Sequence, residues 1–362
     1  MNMAGMNGGY GESHNPREVW PQETGPVAGQ HYPVYSTELM DYYVSKGFTH
    51  IRLPFSWDRI QSRLWGPVPA EGQGYQTYFG HLQRTVNHLT GRGATVLIEP
   101  WQAGPPSTDP EEDGVAGGAR WRGQLVGSPQ VDRYAFADFW AKMATIFRDI
   151  PLVEYGLVNE PNGMSTMDWW VTAQKCIDYI RRAGASTRIY VEGNGWSGAG
   201  SWKQDWYDHV PAGQPQRSNA YGWLNANGPG QPLWDPLHKT AAQVHLYFDN
   251  EGSGKTNEIV DENRRHQRLS PAIEEGAAQG YQVLIGEFAV WAEEPEADAA
   301  VAQVATYVAE HQSTCLGALW WASGEPTWWH NQEAPNYALR RHNKDTDTIE
   351  DTANMALLLK YF

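Results

Sequence analysis

The sequence of 362 residues has little of several features that would point to common protein classes. It contains two cysteines, Cys176 and Cys315, too few for a disulfide framework or a cysteine metal site, so we expect two buried free thiols. It has no run of about 18 apolar residues, which argues against a helix that crosses a bilayer. Basic residues are fewer than acidic ones, 27 against 42, and the net charge of −15 argues against nucleic acid and anionic membranes as partners.

Two further absences concern location and cofactors. The first residues, M-N-M-A-G-M-N-G-G-Y-G-E, have no basic segment followed by an apolar one, so no signal peptide is visible. We expect a secreted or periplasmic protein whose signal peptide is absent from this chain, with a cytoplasmic location as the alternative. No phosphate-cradling glycine loop follows a strand, and no histidine pair has the spacing of a zinc protease. We therefore expect no cofactor and no metal, and we expect a monomer.

Eight short apolar strands alternate with amphipathic helices along the chain. The predicted strands are 2–7, 49–57, 94–101, 152–159, 187–194, 241–248, 281–288 and 315–322. The predicted helices are 36–46, 77–91, 131–148, 166–183, 261–279, 296–312 and 352–362. Nearly continuous apolar strands separated by helices indicate a parallel sheet covered on its outer face. Eight strands, seven of them followed by a helix and the fifth by an irregular segment, predict a (β/α)₈ TIM barrel of one domain, 1–362, with long loops at 102–129, 197–238 and 325–350.

Polar side chains collect at the carboxyl ends of the predicted strands, which in such a barrel point into the active-site mouth. They are Arg52, Glu99, Asn159, Glu160, Glu192 or Asn194, His245, Tyr247, Glu287, and Trp320 or Trp321. Glu160 and Glu287 stand out because each ends a very apolar strand, in G-L-V-N-E-P and V-L-I-G-E-F. Each could be a salt-bridged strand end paired with Arg52. The presence of both, with Arg, His and Tyr at other strand ends, favours a working site.

Two glutamates on one barrel mouth suit the cleavage of a glycosidic bond. One carboxyl must stay protonated to give a proton to the leaving oxygen, and the other must be ionised to attack the anomeric carbon. Arg52 and Tyr247 near Glu287 would favour its charged form, while a drier pocket would keep Glu160 protonated. The two carboxyl groups lie about 5–5.5 Å apart in retaining enzymes and about 6.5–9.5 Å apart in inverting ones.

The 18 tryptophans either fill a large core or line a cleft for sugar rings. Trp57, Trp101, Trp196, Trp291, Trp320 and Trp321 fall at or just after predicted strand ends, and Trp202, Trp206, Trp223, Trp328 and Trp329 fall in the long loops. This placement favours an aromatic cleft. Because the chain is acidic, the bound polysaccharide or oligosaccharide would be neutral or weakly charged.

Several motifs, in this order along the chain, resemble glycoside hydrolase family 5. They are I-R-L-P-F-S-W on the second strand, V-N-E-P after the fourth, H-L-Y-F-D on the sixth and I-G-E-F on the seventh. The segments V-E-G-N-G-W-S-G-A-G-S-W, D-N-E-G-S-G and G-A-L-W-W-A-S-G are similar to cellulase-like members. The resemblance implies a retaining (β/α)₈ endo-β-1,4-glucanase, with Glu160 as the general acid/base and Glu287 as the nucleophile.

The resemblance also implies roles for the residues around this pair. Asn159 would hold the 2-hydroxyl of the sugar at the cleavage point, His245 would lie beside Glu160, and Trp321 would form the floor under the sugar, followed by a cis peptide to Ala322. Arg52 and Tyr247 would keep the nucleophile ionised and oriented. The substrate-binding candidates are Arg52, Trp101, Asn159, Trp196, His245, Tyr247, Trp291 and Trp321.

One position departs from the family pattern. Many members carry a histidine after the third strand in an Asp-Pro-His-Asn context, whereas this chain has Glu99, Pro100, Trp101 and Gln102. An indole has one N–H and a large apolar face, so it cannot reproduce the hydrogen bonds of an imidazole. Trp101 is either a packing residue or a change in the sugar subsites. Alternatives therefore stay open: the same chemistry on mannan, xylan, or a mixed-linkage or branched glucan, and a non-catalytic carbohydrate-binding barrel.

Overall fold

The computed structural model describes residues 1–4, 6, 25–29, 32–101, 118–205, 210, 215–324, 336–343 and 345–362. Within these ranges eight parallel barrel strands alternate with eight helices, and each helix follows the strand of the same number. The strands are β1 Met3–Ala4, β2 His50–Phe55, β3 Thr95–Pro100, β4 Val153–Gly156, β5 Ile189–Glu192, β6 Thr240–Tyr247, β7 Gln282–Ala289 and β8 Cys315–Trp320. The helices are α1 Thr37–Ser45, α2 Gln73–Gly91, α3 Arg133–Phe147, α4 Thr166–Arg182, α5 Asn219–Asn225, α6 Glu262–Gln279, α7 Ala297–Glu310 and α8 Ala353–Leu359.

The first strand closes the barrel. Strands β2 to β8 form one parallel sheet in chain order. Asn2 bridges Arg52 of β2 on one side, and Met3–Ala4 pairs with Ser323–Gly324, just beyond β8, on the other. Two short antiparallel pairs lie outside the barrel, Arg120–Trp121 with Gln124–Leu125 and Arg340–Asn343 with Thr348–Asp351.

This architecture confirms the predicted (β/α)₈ barrel. The element bounds differ in places: β1 is shorter than the predicted strand 2–7, and α2 begins at Gln73 rather than at residue 77. Helix α5 lies in the segment 197–238 that was predicted to be irregular. Its seven residues are too few to show a clear helical period, and its start is fixed by Ser218, whose hydroxyl accepts the N–H of Tyr221.

Side chains alternate between the barrel interior and the layer under the helices. Outward residues such as Ile51, Val96 and Val244 pack against the helices in the main hydrophobic core. Five inward residues from different strands form a separate buried apolar cluster. It consists of Leu97, Tyr190, Ala241, Leu284 and Leu319. This cluster fills the lower part of the barrel, so the polar site lies directly above an apolar layer.

The cysteines and the helices can be compared with what the sequence predicts. Cys176 on α4 and Cys315 at the start of β8 are both buried and form no disulfide, which confirms the predicted free thiols. In the ranges given above, no helix combines the length and apolar character needed to traverse a bilayer.

Candidate active site

The inward side chains change from apolar to polar toward the carboxyl end of the barrel. On β6, Gln243, His245 and Tyr247 follow Ala241 at alternate positions and so share its inward direction. On β3, Glu99 follows Leu97 in the same way, and on β5 Glu192 follows Tyr190. Apart from Tyr247, which is half-buried, these polar groups are buried directly above the apolar floor, a costly arrangement unless each group has a partner.

A β-bulge turns Glu287 into this polar layer. In the β6–β7 pairing, Val244 is opposite Ile285, but the next residue, His245, is opposite Glu287, so Gly286 is the extra residue. Without the bulge, Glu287 would share the outward direction of Ile285. A Cβ at Gly286 would lie 2.5 Å from the side chain of Gln243, so the close approach of the strands here requires glycine.

Arg52, at the centre of the polar layer, has no exposed surface. Its guanidinium forms ion pairs with three carboxylates, those of Glu99, Glu192 and Glu287. It also donates to Oδ1 of Asn159 (2.6 Å) and to Oδ1 of Asn2 (2.9 Å). One cation therefore orients groups from β3, β5 and β7, from the residue before β1 and from the segment that follows β4.

Glu160 and Glu287 meet at His245. The Nδ1 atom of His245 lies 2.8 Å from Oε1 of Glu160 and 3.5 Å from Oε2 of Glu287. One carboxylate oxygen of each glutamate and this imidazole nitrogen all lie within 4.8 Å of one another. Tyr247 donates its hydroxyl to Oε2 of Glu287 at 2.8 Å. Each oxygen of Glu287 thus accepts from a strong donor, Arg52 or Tyr247, which suits an ionised carboxylate.

The carboxyl groups of the cluster have divergent pKa values. Burial raises the pKa of Glu99 to about 8 and also raises the pKa of Glu160, in both cases against the effect of a nearby cation. Burial would raise the pKa of Glu192 too, but His245 and Arg52 outweigh it and the pKa is lowered. Burial would lower the pKa of His245, yet the charges of Glu192 and the other carboxylates raise it well above its usual range.

These directions divide the acids of the cluster: the pKa values of Glu99 and Glu160 are raised, whereas that of Glu192 is lowered. Glu287 is held by geometry instead, since its two oxygens accept from Arg52 and Tyr247. A carboxyl that favours its protonated form and a carboxyl held by a cation and a hydroxyl thus face the same space, the arrangement that glycosidic bond cleavage uses.

The predicted sugar-binding aromatics lie at the carboxyl end of the barrel. Trp101 directly follows β3, Trp321 directly follows β8, and Trp291 lies two residues beyond β7. Trp196 follows β5 and has a backbone φ of 59°. The peptide bond between Trp321 and Ala322 is cis, as the family resemblance implies. A concave region of about 200 Å³ beside Tyr247 is lined by Trp291, Tyr337 and residues of the loop after β6.

For several other tryptophans the predicted cleft position is wrong. Trp57 is fully buried, with its ring centroid 4.9 Å from that of Phe136, because α3 covers it. Trp202 is also fully buried and donates to the hydroxyl of Tyr281 at 2.8 Å. Trp223 and Trp320 are buried as well. These indoles are core residues, and Trp206, Trp328 and Trp329 lie outside the described residues.

Four buried polar residues in the cluster had no assigned role in the sequence analysis. They are Asn2, Glu99, Glu192 and Gln243. The amide of Gln243 donates to both Glu99 and Glu192, and the amide of Asn2 donates to the carbonyls of Gly286 (3.0 Å) and Trp320 (3.1 Å). The sequence contained an indication of their position, because each is a polar residue among apolar ones, at a place where the alternation of side chains along a strand points inward.

The sequence of this chain is similar to that of several known proteins. A sequence profile described as Cellulase (glycosyl hydrolase family 5) matches residues 12–324. Endoglucanase 3 of Humicola insolens is 30% identical over 302 residues, which are 83% of this chain and 66% of that protein. Endo-β-1,4-glucanase A of Emericella nidulans is 30% identical over 287 residues, 79% of this chain and 73% of that protein. The chain thus spans about two thirds of the Humicola protein.

Solved structures give the same result for the fold. The structure of XacCel5A in complex with cellopentaose has a TM-score of 0.80 and 26% sequence identity, with 100% of this chain and 97% of that chain covered. A triple mutant of an endo-β-1,4-glucanase from Xanthomonas axonopodis pv. citri has a TM-score of 0.79, also at 26% identity, with 99% and 97% covered.

Proposed function

This chain belongs to the cellulase family, glycosyl hydrolase family 5, and from that premise we propose that it is an endo-β-1,4-glucanase that cleaves β-linked glucan with retention of configuration. The single observation that carries the proposal is the meeting of Glu160 and Glu287. An oxygen of each and Nδ1 of His245 lie within 4.8 Å of one another. This favours the shorter carboxyl separation of retaining enzymes over the wider one that makes room for a water molecule.

In the first half of the proposed reaction, protonated Glu160 gives its proton to the bridging oxygen. The ionised carboxylate of Glu287 attacks the anomeric carbon, so that a glycosyl ester forms as the C–O bond of the leaving sugar breaks. In the second half, Glu160 takes a proton from water. That water attacks the anomeric carbon and releases Glu287, and both carboxyl groups return to their starting states.

The neighbouring residues would hold this pair and the sugar. Oδ1 of Asn159 accepts from Arg52, which leaves its amide nitrogen, 3.5 Å from Glu160, to donate to the 2-hydroxyl of the sugar. Tyr247 and Arg52 would keep Glu287 oriented toward the anomeric carbon. Trp321 would support the sugar ring, and Trp101, Trp196 and Trp291 would contact the flanking sugars.

The substrate would be a neutral polysaccharide or oligosaccharide bound by a monomeric chain, with one catalytic domain over 1–362. Because a long polysaccharide does not enter the cytoplasm, we expect the protein to act outside it, in the periplasm or after secretion. Trp101, in place of the histidine frequent in the family, keeps mannan, xylan and mixed-linkage or branched glucans as alternative substrates.

Two experiments test the proposal. The first compares rates on soluble β-glucans, mannan and xylan, with sizing of the products. Fast loss of chain length on β-1,4-glucan supports the proposal, whereas a preference for another polymer replaces the substrate. The second treats Glu160→Ala with azide and an activated aryl β-cellobioside. A β-glycosyl azide is expected because the small anion enters where the acid/base side chain stood, and an α-glycosyl azide would contradict retention.

A further inference from the structure

Glu192, the last residue of β5, has no part in the two chemical steps, yet its carboxylate contacts four other residues of the cluster. It has no exposed surface. Its Oε2 accepts the backbone N–H of Glu160 at 2.6 Å. Its Oε1 lies 3.0 Å from Nε2 of His245 and accepts from Arg52 at 3.0 Å and from the amide of Gln243. One carboxylate therefore contacts the backbone of the proposed acid and the imidazole that contacts the side chain of that acid.

The backbone of Glu160 needs such support. Its φ is 47°, in the left-handed region that glycine favours, and Pro161 follows it. A residue with a side chain persists in this conformation only where its surroundings hold it there. The N–H of Glu160 points into the barrel, and the carboxylate of Glu192 is the acceptor that it meets.

We infer that Glu192 is a positioning residue that sets the aim of the acid/base. It fixes Glu160 at two points, directly through the backbone N–H and indirectly through His245, whose Nδ1 lies 2.8 Å from Oε1 of Glu160. The inference rests on the proposed function, because it assigns Glu192 to the proton transfer to the leaving oxygen rather than to the attack of Glu287.

Glu99 provides a matched control, because it contacts the same arginine. It is also fully buried, and it accepts from Arg52 and from Gln243 (3.1 Å). The guanidinium that it contacts also contacts Glu287, so replacing Glu99 should disturb the arginine and the nucleophile rather than the acid/base. The two glutamates thus share two partners and differ in the contacts with Glu160 and His245 that Glu192 makes.

The test measures kcat/KM for aryl β-cellobiosides with leaving groups of different acidity. Dinitrophenolate departs without a proton, whereas phenolate needs one from the general acid. In Glu192→Gln, the amide presents its single oxygen either to the Glu160 N–H or to the Arg52 and His245 donors, and its NH₂ faces the other set. We expect kcat/KM to fall about 100-fold for the phenyl substrate and less than about tenfold for the dinitrophenyl one. Glu99→Gln should lower both by similar factors.

A second variant covers the case in which Glu192→Gln does not fold. Glu192→Asp keeps the charge beside Arg52 and His245 but withdraws the carboxylate by one methylene, and it should show the same leaving-group pattern at about tenfold. Thermal unfolding confirms that each variant is folded. An equal fall for both substrates, or no fall, in a folded variant would overturn the inference.

The outcomes separate this inference from the proposed function. Glu160→Ala must itself show a strong leaving-group dependence, and its absence would defeat the assignment of the acid/base. A strong dependence in Glu160→Ala together with none in the Glu192 variants would defeat the positioning role alone.

Discussion

Among the described residues, two buried arginine–carboxylate clusters lie at opposite ends of the barrel and are built in opposite ways. Near the amino-terminal ends of the strands, Arg181 of α4 forms a bidentate ion pair with Asp235, with both N–O distances 2.8 Å. The remaining capacity of Asp235 is used by the backbone N–H groups of Leu237 and Lys239 and by the hydroxyl of Thr240. One cation meets one anion here, and the anion is fully hydrogen-bonded.

At the carboxyl ends of the strands the charges do not pair one to one. Arg52 faces the three carboxyl groups of Glu99, Glu192 and Glu287, and His245 faces Glu160 as well. The surplus of acids cannot all be ionised in a buried space, so their pKa values separate. The pairing at Asp235 fixes a loop and gives a low pKa of about 2, whereas the crowding at Arg52 raises the pKa of Glu99 and of Glu160 and lowers that of Glu192.

The largest effect should come from removing one anion of the crowded cluster, in Glu287→Gln. The amide keeps the shape of the side chain but cannot form the glycosyl ester, so kcat should fall at least about 10⁴-fold. Binding of a β-1,4-linked oligosaccharide, measured by calorimetry, should remain because the amide keeps the size of the side chain and one of its two oxygens. Substantial activity in this variant would refute the assignment of the nucleophile.

The next largest effect on kcat is expected when the two arginines, Arg52 and Arg181, are each replaced by lysine. Arg52→Lys replaces a planar group that serves three carboxylates with a single ammonium, so kcat should fall about 10²–10³-fold. Arg181→Lys breaks a bidentate pair far from the chemistry and should leave kcat unchanged while lowering the melting temperature. Rates and thermal unfolding of both variants check this contrast, and equal loss of activity in the two would contradict the division into a catalytic and a structural cluster.

Asp235→Asn should destabilise the fold without changing the rate at ambient temperature. The variant leaves Arg181 buried without its anion and turns an NH₂ toward its donors, at a cost of about 3 kcal/mol in the free energy of unfolding. Denaturant unfolding at neutral pH measures this difference. Glu154→Gln is the control and should change stability by less than about 1 kcal/mol, because this carboxylate is only partly buried and its arginine contact, to Arg188, is long (4.0 Å), while an amide oxygen can still accept from the hydroxyl of Tyr190 (3.0 Å) and lie near His50 (3.1 Å).

The difference in stability between the wild type and Asp235→Asn should become smaller as the pH falls. The pKa of Asp235 is lowered to about 2 in the fold, against about 3.9 for an unfolded chain. The contribution of its charge is therefore complete above pH of about 4 and is lost as the pH falls toward 2. The stabilities of the wild type and Asp235→Asn should converge over this range, and a constant difference would show that the charge is not responsible.

The sequence alone was sufficient for the barrel, and its apolar strands placed Glu160 and Glu287 at strand ends that the structure brings to the same imidazole, His245. It was not sufficient for Glu192, since the importance of that residue depends on which neighbours share the inward direction and on the turn that places the N–H of Glu160 opposite it. Nor did it predict the bulge at Gly286, without which Glu287 would face outward. Trp57 was misplaced because a position near a strand end does not reveal that α3 covers it.

The smallest effect, and the sharpest test of pKa separation, concerns the alkaline limb of the pH–rate profile. Burial raises the pKa of Glu160 above the usual carboxyl value, so its protonated form survives to higher pH and activity should be lost as the pH rises through that raised value. The limb should be clear for phenyl β-cellobioside, which needs the proton, and weak for the dinitrophenyl substrate, which does not. The carboxylates around His245 raise its pKa well above the usual range, and Glu99, whose pKa is raised to about 8, titrates alike with both substrates, so the difference between the two substrates reports on Glu160. Because Asp235 lies in the other cluster, Asp235→Asn should leave this limb in place, and a shift of the limb in that variant would show that the two clusters are electrostatically coupled across the barrel.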